Sequence, residues 1–446
     1  MERWKPVLQR LEEQFWISPE MMQAVAQKFQ NAIRAGLTGQ RSSLKMLPSY
    51  LARPTGQEQG LFLALDFGGT NVRVSQVELG GRGRIRVLRR VAKAIKGPKG
   101  DYDYTREQVT AEELFDFLAS LIAEAIDGYT GEAIRLGHTF SFPSRQKDIG
   151  HAELIHWAKE FRTSGVEGQD VGKLLTEALA RRGLGGRVEP VAIINDTVGT
   201  LLTAAYGDKD ADIGSILGTG HNTCYMETNP ISGLGPMIIN MESGNFDRLP
   251  FTAYDEALDS YSHKPGEQRL EKMVSGHYVG ELVRRMILDL MEKEGWLSFQ
   301  EQGIFARAFA IRAEDLSLWL SDRSSNLEEI ERWLHFRAAV RPSKFGERYT
   351  LRSLAEMVVR RSARLVAATY LAVLNHRDPE GKSSHTIAVD GSLYEKMPGY
   401  GEALQEALAE AQGSHPVEVK MRLTKAGSEV GAAIAAAVVS SRRRLL

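Results

Sequence analysis

Two glycine-rich stretches carry the residue types that hold phosphate: LALDFGGTN over residues 63–71 and GSILGTGHN over residues 214–222. A glycine turn exposes backbone N–H groups, and those groups can cradle an anion. The spacing decides which kind of cradle it is. A Walker loop needs Gly-x4-Gly-Lys-Ser/Thr. Gly381-Lys382-Ser383 has the end of that pattern, but position 376 is His376. A dinucleotide loop needs Gly-x-Gly-x-x-Gly opening a helix. Gly218-Thr219-Gly220 starts that pattern, but position 223 is Thr223 and strand-like residues follow. Two β-hairpins with glycine bends remain. Each alone reads equally as a tight turn. Together, with Asp66 and Thr70 in one and Thr219 in the other, they point to a clamp on a polyphosphate.

Asn195-Asp196-Thr197 follows the apolar run Pro190–Ile194. Ligands of open α/β sheets gather at the carboxyl ends of strands, so a carboxylate there is placed to act as a general base. The same aspartate also reads as a helix N-cap, and the two roles are compatible. Ser141-Phe142-Pro143-Ser144 is a strand exit, because proline cannot pair centrally. His156-Trp157-Ala158-Lys159 sets a cation beside an aromatic ring, with a surface lysine as the plainer account. Asn222 directly follows the second glycine turn. Glu242 lies in a Ser/Gly/Asn loop and Glu271 in a helical stretch, and on pattern alone both are solvated charges. No His pair has metal spacing, and no Ser-His-Asp set can be assembled.

Elements must hold these residues in place. Apolar residues at helical spacing predict helix over the first 45 residues, with a start at Ser18-Pro19-Glu20. Alternation predicts a hairpin over 61–76, and Gly- and Lys-rich residues 80–100 read as a loop. A helix is expected at 111–127, strands at 133–142 and 188–195, and a helix near 168–182. A second strand–turn–strand unit spans 213–227. Helices follow at 267–293, 353–375 and 401–412, a strand at 386–389, and a last helix at 427–440. Alternating strands and helices predict an α/β fold. The two glycine stretches suggest a weak internal duplication.

Composition bounds the class. At about 150 residues per domain, 446 residues predict two or three domains. Hydrophobic content of 43% and charged content of 25% are ordinary for a globular chain. The 56 basic and 57 acidic residues leave a charge of -1, so nothing pulls the chain toward nucleic acid or an anionic membrane. Cys224 is the one cysteine, which excludes an intramolecular disulfide and a thiolate metal cluster. Residues 1–25 show no apolar core of a secretory signal, and the apolar run from Val430 to Val439 is too short to span a bilayer. The expectation is a soluble cytoplasmic protein.

Taken in order, the stretches resemble the hexokinase family of the actin-like ATPase superfamily. GLTGQRSSLKMLPSYLARPTG (36–56), LALDFGGTNVRV (63–74), LGHTFSFPSRQ (136–146), AIINDTVGTLL (192–202), ILGTGHNTCYME (216–227), NMESGNF (240–246), PGEQRLEKMVSGHYVGELVR (265–284), VDGSLYEKMPGY (389–400) and AGSEVGAAIAAAV (426–438) are each similar to a family block. The resemblance implies a two-lobe actin-like ATPase (ribonuclease H-like) fold of hexokinase type. The small lobe would be 60–195 plus 427–446, and the large lobe 1–59 plus 196–426.

It also implies roles. Asp196 matches the base that removes the proton of a sugar 6-hydroxyl, and Lys159 a lysine near that oxygen. Ser141, Asn195, Asn222, Glu242 and Glu271 match residues that bind sugar hydroxyls. Asp66, Gly68, Gly69, Thr70, Asn71 and Arg73 match the first phosphate segment, with Asp66 also meeting Mg²⁺ through water. Thr219 and Gly220 match the second segment, and Gly391, Ser392, Gly427 and Ser428 the nucleotide side. The implied activity is ATP-dependent phosphorylation of glucose and other hexoses at the 6-hydroxyl, with lobes closing on the sugar. The rivals are a narrow glucokinase and a silent sugar sensor. The implied partners are small molecules alone, without nucleic acid or membrane.

Three departures bear on sugar preference. Ala158 stands where Thr is common. Ser243 stands where Trp is common, which predicts a more open pocket wall. Residues 92–108 match the lobe-bridging segment poorly.

Overall fold

The computed structural model describes residues 4–158, 160–229, 234–297, 303–340, 342–413 and 417–443, so Lys159 lies outside the described residues. The chain opens with α1 (Lys5–Phe15) and α2 (Pro19–Leu37). The expected start of α2 is present. The Ser18 hydroxyl accepts from the Met21 N–H at 3.2 Å, and Pro19 sits where no donor is needed. A short strand, β1 (Leu47–Pro48), precedes the first hairpin, β2 (Gln59–Phe67) and β3 (Asn71–Gly80), whose bend is Gly68-Gly69-Thr70. Residues 80–100 depart from the loop expectation: they contain β4 (Ile85–Ala94). It is an edge strand, and Arg86, Arg89, Arg90 and Lys93 stand on it because charge protects an exposed edge from further pairing.

Next come α3 (Ala111–Ala125), β5 (Ile134–Phe140), the small hairpin β6 (Ser144–Asp148) and β7 (His151–Leu154), α4 (Val171–Arg181), β8 (Val188–Ile194) and α5 (Asp196–Ala205). The second half begins with β9 (Ala211–Leu217), β10 (His221–Glu227) and β11 (Met237–Asn240). It continues through α6 (Ala253–Ser260), α7 (Arg269–Val274), α8 (Gly276–Glu294), α9 (Ala313–Ser321), α10 (Glu328–Ala338) and α11 (Phe345–Arg377). It ends with β12 (His385–Asp390), α12 (Ser392–Lys396), α13 (Tyr400–Gln412), β13 (Val419–Leu423) and α14 (Gly427–Arg443). The one helix expected over 267–293 is two. At Ser275 the backbone is extended, at φ −88° and ψ 157°, and the Gly276 N–H donates to the Gly218 carbonyl at 2.8 Å.

Two sheets form the frame. One has the order β4-β3-β2-β5-β8, the other β1-β11-β10-β9-β12-β13. In the first, β2, β3 and β4 are antiparallel, while β5 and β8 run parallel to β2. In the second, β9, β10 and β11 are antiparallel, while β12 and β13 run parallel to β9. Leaving β1 aside, both sheets place their own strands in the order third, second, first, fourth, fifth. The suspected duplication is therefore real at the level of topology. The two glycine bends are equivalent turns, each joining the first and second strands of its half.

The halves exchange helices. α5 follows the last strand of the first sheet but packs on β9, β10 and β12 of the second. α14 follows the last strand of the second sheet but packs on β2, β5 and β8 of the first. The two helices cross between the sheets around Gly199 and Gly431, in a core of small residues that includes Ala432, Ala433, Ala435 and Ala436. A second core, with Phe67, Leu118 and Trp157, joins the outer face of the first sheet to α3 and α4. A third, with Phe29, Leu282 and Tyr370, backs the second sheet with the long helices. Among the described residues, no helix is long and apolar enough to cross a membrane.

Candidate active site

Parallel β2, β5 and β8 are in register at their carboxyl ends: Phe67 pairs with Phe140, and Thr139 with Ile194. The chain leaves the sheet there at Gly68, Ser141 and Asn195, side by side along one rim. The Ser141 N–H donates to the Phe67 carbonyl at 3.5 Å. Asn195, rather than Asp196, caps α5. Its Oδ1 accepts from the Thr197 N–H at 2.9 Å and from the Thr197 hydroxyl at 2.6 Å. Asp196 is the first residue of the helix, and its Oδ1 also accepts from the Thr197 N–H, at 2.8 Å.

The first glycine turn is anchored by Asp66. It is 6% exposed, and its Oδ2 accepts from Arg73 at 3.2 Å and from the Ser428 hydroxyl at 3.4 Å. Burial pushes its carboxyl up to about 6, and the nearby Asp196 charge adds to that, against the pull of Arg73. The second turn, Gly218-Thr219-Gly220, lies against Gly391. That glycine has φ +126°, and a Cβ there would come within 2.4 Å of the Leu217 carbonyl, so only glycine fits. The start of α14 joins the two turns. The Gly427 N–H donates to Asp390 Oδ2 at 3.1 Å, beside Gly391 and Ser392, while the next residue, Ser428, reaches Asp66. The Thr139 hydroxyl donates to the Ser428 carbonyl at 2.7 Å, and the Thr203 hydroxyl to the Gly427 carbonyl at 2.8 Å. Gly68, Thr70, Asn71, Arg73, Thr219, Gly220, Gly391, Ser392, Gly427 and Ser428 thus lie along one connected set of segments.

On the other side is a network of amides and carboxylates. Asn222 Nδ2 donates to Asn240 Oδ1 at 2.9 Å and Glu242 Oε1 at 3.3 Å, and reaches Asn195 Oδ1 at 3.5 Å. Asn240 Nδ2 donates to Glu242 Oε1 at 2.9 Å. Glu271 Oε2 accepts the His221 N–H at 2.9 Å, from the residue just past the second glycine turn. The enclosed setting of Glu242 pushes its carboxyl up, and the Asp196 charge pushes it further, against its amide donors and Lys45. Asp390 shifts the same way, first from burial and then partly from Asp196. Asp196 therefore lies within electrostatic reach of the glycine-turn side, through Asp66 and Asp390, and of the amide–carboxylate network, through Glu242.

Sequence reasoning missed Asn240, His221 and Asp390. Asn240 had a findable signal: it lies two residues before Glu242 at a strand end, where alternate residues share a face. Ser243 is 0% exposed, and its hydroxyl meets His221 Nε2 at 3.4 Å, so an imidazole backs the position.

Residues 7–206 and 212–438 match two family models, both described as hexokinase. Hexokinase-2 of Oryza sativa subsp. japonica is 37% identical over 99% of this chain and 93% of its own length. Hexokinase-4, chloroplastic, of the same plant is 37% identical over 94% of this chain and 86% of its own. The solved structure of hexokinase from Schistosoma mansoni complexed with glucose aligns with a TM-score of 0.84 and 31% identity, over 98% of this chain and 99% of that one.

Proposed function

This chain belongs to the hexokinase family, and from that premise we propose that it transfers the terminal phosphoryl group of ATP to the 6-hydroxyl of glucose. Sugar-kinase chemistry comes with the family; glucose, ATP and closure are our reading. One observation carries it. Asp196 stands on the rim of the first sheet with phosphate-turn residues on one side and a hydrogen-bonding network for hydroxyls on the other. The solved Schistosoma relative holds glucose, which supports glucose as the sugar here.

Asp196 takes the proton of the 6-hydroxyl as that oxygen attacks the γ-phosphorus and the bond to the departing ADP breaks. The family resemblance gives Lys159 a role at the same oxygen. Ser141, Asn195, Asn222, Glu242 and Glu271 bind the ring hydroxyls, each of which both donates and accepts. N–H groups of the turns at Gly68-Gly69-Thr70 and Gly218-Thr219-Gly220, with Gly391, Ser392, Gly427 and Ser428, line the phosphate path.

The residues present fit a Mg²⁺ ion: the Asp66 carboxylate is buried beside Arg73 and Ser428, and burial first, then the Asp196 charge, raise it, a cost that a cation would relieve. The family resemblance has Asp66 hold the ion through water, with the triphosphate supplying other ligands; among the described residues no three carboxylates, imidazoles or thiols form a cage. When bound, the ion neutralises charge building on the transferred group.

We assign the small lobe to 60–195 plus 427–446 and the large lobe to 1–59 plus 196–426. Sugar contacts on both sides of the cleft draw the lobes together and exclude water. A cytoplasmic setting is our reading, although two relatives are named chloroplastic. Steady-state assay of the purified protein with Mg-ATP, over glucose, mannose and fructose, tests the proposal. Glucose-dependent ADP release supports it, and the ratio of kcat/KM values separates a broad hexokinase from a narrow glucokinase. Tight glucose binding without turnover would leave the sensor reading instead.

A further inference from the structure

His221 joins the two functional parts of the site. It is the first residue of β10 and is 3% exposed. Its backbone N–H donates to Glu271 Oε2 at 2.9 Å. Its ring Nδ1 lies 3.1 Å from the Ile216 carbonyl. A carbonyl only accepts, so the ring proton sits on Nδ1, and Nε2 keeps a lone pair for the Ser243 hydroxyl at 3.4 Å. The Ser243 N–H in turn donates to Asn222 Oδ1 at 3.1 Å, an oxygen that also accepts the Thr223 N–H at 2.7 Å. With its oxygen taken by two backbone donors, the Asn222 amide is fixed with Nδ2 toward Asn240 and Glu242.

Glu242 needs such support. Its φ is +53°, a left-handed conformation that costs a non-glycine residue about 1 kcal/mol or more and persists only where neighbours enforce it. The next two residues are the ones that grip the second glycine turn. Ser243 does so through His221. Gly244 does so by closeness, since a Cβ there would lie 2.9 Å from the His221 carbonyl and 3.1 Å from Glu271 Cβ.

We propose that His221, through the hydrogen bond of its ring with Ser243, is a positioning residue that holds Glu242 and Asn222 in their sugar-binding places and thereby sets sugar affinity without setting phosphate-donor affinity. The inference rests on the sugar-kinase reading above. It concerns a residue that touches neither the sugar nor the phosphates through its ring.

The test uses the full chain and the variants S243A, H221F and their double. S243A removes one hydroxyl and keeps the backbone donor to Asn222. H221F keeps a ring and removes both nitrogens. Glucose binding is read by equilibrium dialysis, and KM for glucose, KM for ATP and kcat by steady-state assay. Each single variant is expected to raise the glucose Kd and KM by about 5- to 10-fold, the scale of one lost buried hydrogen bond. The double variant should be within about twofold of the worse single, since both break one link. ATP KM and kcat at saturating sugar should stay within about twofold. An unchanged glucose Kd in S243A overturns the proposal, as do multiplicative effects or an ATP KM that rises in parallel. If H221F does not fold, S243A decides alone. A wild-type protein that neither binds nor phosphorylates glucose overturns the underlying functional reading instead, and is distinguishable because it fails before any variant is compared.

Discussion

A carboxylate in the first turn of a helix has a ready structural use, because it meets exposed N–H groups and the positive end of the helix dipole. Asp196 has that use toward Thr197. Its second role follows from charge: Asp66, Glu242 and Asp390 are all held in less ionised form partly because Asp196 is near. Such mutual perturbation marks sites where ligands supply the missing neutralisation. Replacing Asp196 by Ala should lower kcat by about 10²- to 10⁴-fold, the usual worth of a general base, while the glucose Kd moves only severalfold. A coupled assay beside equilibrium dialysis reads both, and near-normal kcat would refute the assignment. Replacing Glu271 by Ala should act the other way. It strips a partner from the His221 N–H and a charged acceptor from the sugar, so glucose KM should rise by about 10-fold or more with a smaller change in kcat. An unchanged KM would remove Glu271 from the pocket. Asp66 and Asn222 drew notice because each stands beside a glycine turn, whereas Glu242 and Glu271 read as solvated charges on pattern alone and entered only through the family resemblance. His221 was not legible, since its value lies in a serine more than twenty residues away, which spacing alone cannot reveal.

At the scale of elements, the crossing of α5 and α14 ties the site to the frame. α5 begins at Asp196, and α14 begins at Gly427 and Ser428. Within a helix, Gly to Ala ordinarily stabilises by about 1 kcal/mol. At Gly431 the sign should reverse: a Cβ there would stand 2.2 Å from the Gly199 carbonyl oxygen and 2.3 Å from its Cα, both backbone atoms that cannot turn aside. Replacing Gly431 by Ala should therefore destabilise by about 1–3 kcal/mol and push the helices apart. Calorimetry should show a Tm lower by several degrees. kcat should fall even where the variant is fully folded, because Asp196 and Ser428 then move relative to each other. A Tm equal to wild type would show that the crossing tolerates a methyl group. The sequence announced both helices, but not that each would pack on the other half's sheet. Helical periodicity tells which face is apolar and not which sheet will cover it.

At the scale of the whole molecule, two fully buried imidazoles among the described residues, His138 and His221, make it acid-sensitive. His138 on β5 is 0% exposed, stacked near Phe67, with neither ring nitrogen hydrogen-bonded. Burial holds it down to about 3, and burial holds His221 down to about 4. For a base whose folded value is depressed, the unfolded chain takes up a proton that the folded one refuses. Stability is complete above about pH 6.5 and is lost as pH falls toward those folded values, by about 1.4 kcal/mol per pH unit for each group. His385 opposes the trend. Burial would lower it, but its hydrogen bond to Asp212 raises it, so its contribution is present at low pH and fades as pH rises. Comparison with a variant isolates one group. Replacing His138 by Leu should raise stability at pH 7 by about 1 kcal/mol, by removing an unpaired buried polar ring. Its advantage should grow by about 1.4 kcal/mol per unit as pH falls from 6 to 4. Urea unfolding across that range checks it, and a constant difference between the two proteins would show that His138 is protonated in the folded state.

By itself the sequence determined strands β2, β3, β5, β8, β9, β10 and β12, the two glycine bends, the strand-end aspartate and the order of family stretches, because each is written in residues close together along the chain. It could not disclose β4, whose basic residues read as a loop until the sheet gave them an exposed edge. Nor could it show the exchanged helices, the imidazole behind Ser243, or the contact between Ser428 and Asp66, which are 362 positions apart. Those were settled by the tertiary structure, since packing two duplicated halves face to face is what brings such distant residues within hydrogen-bond reach.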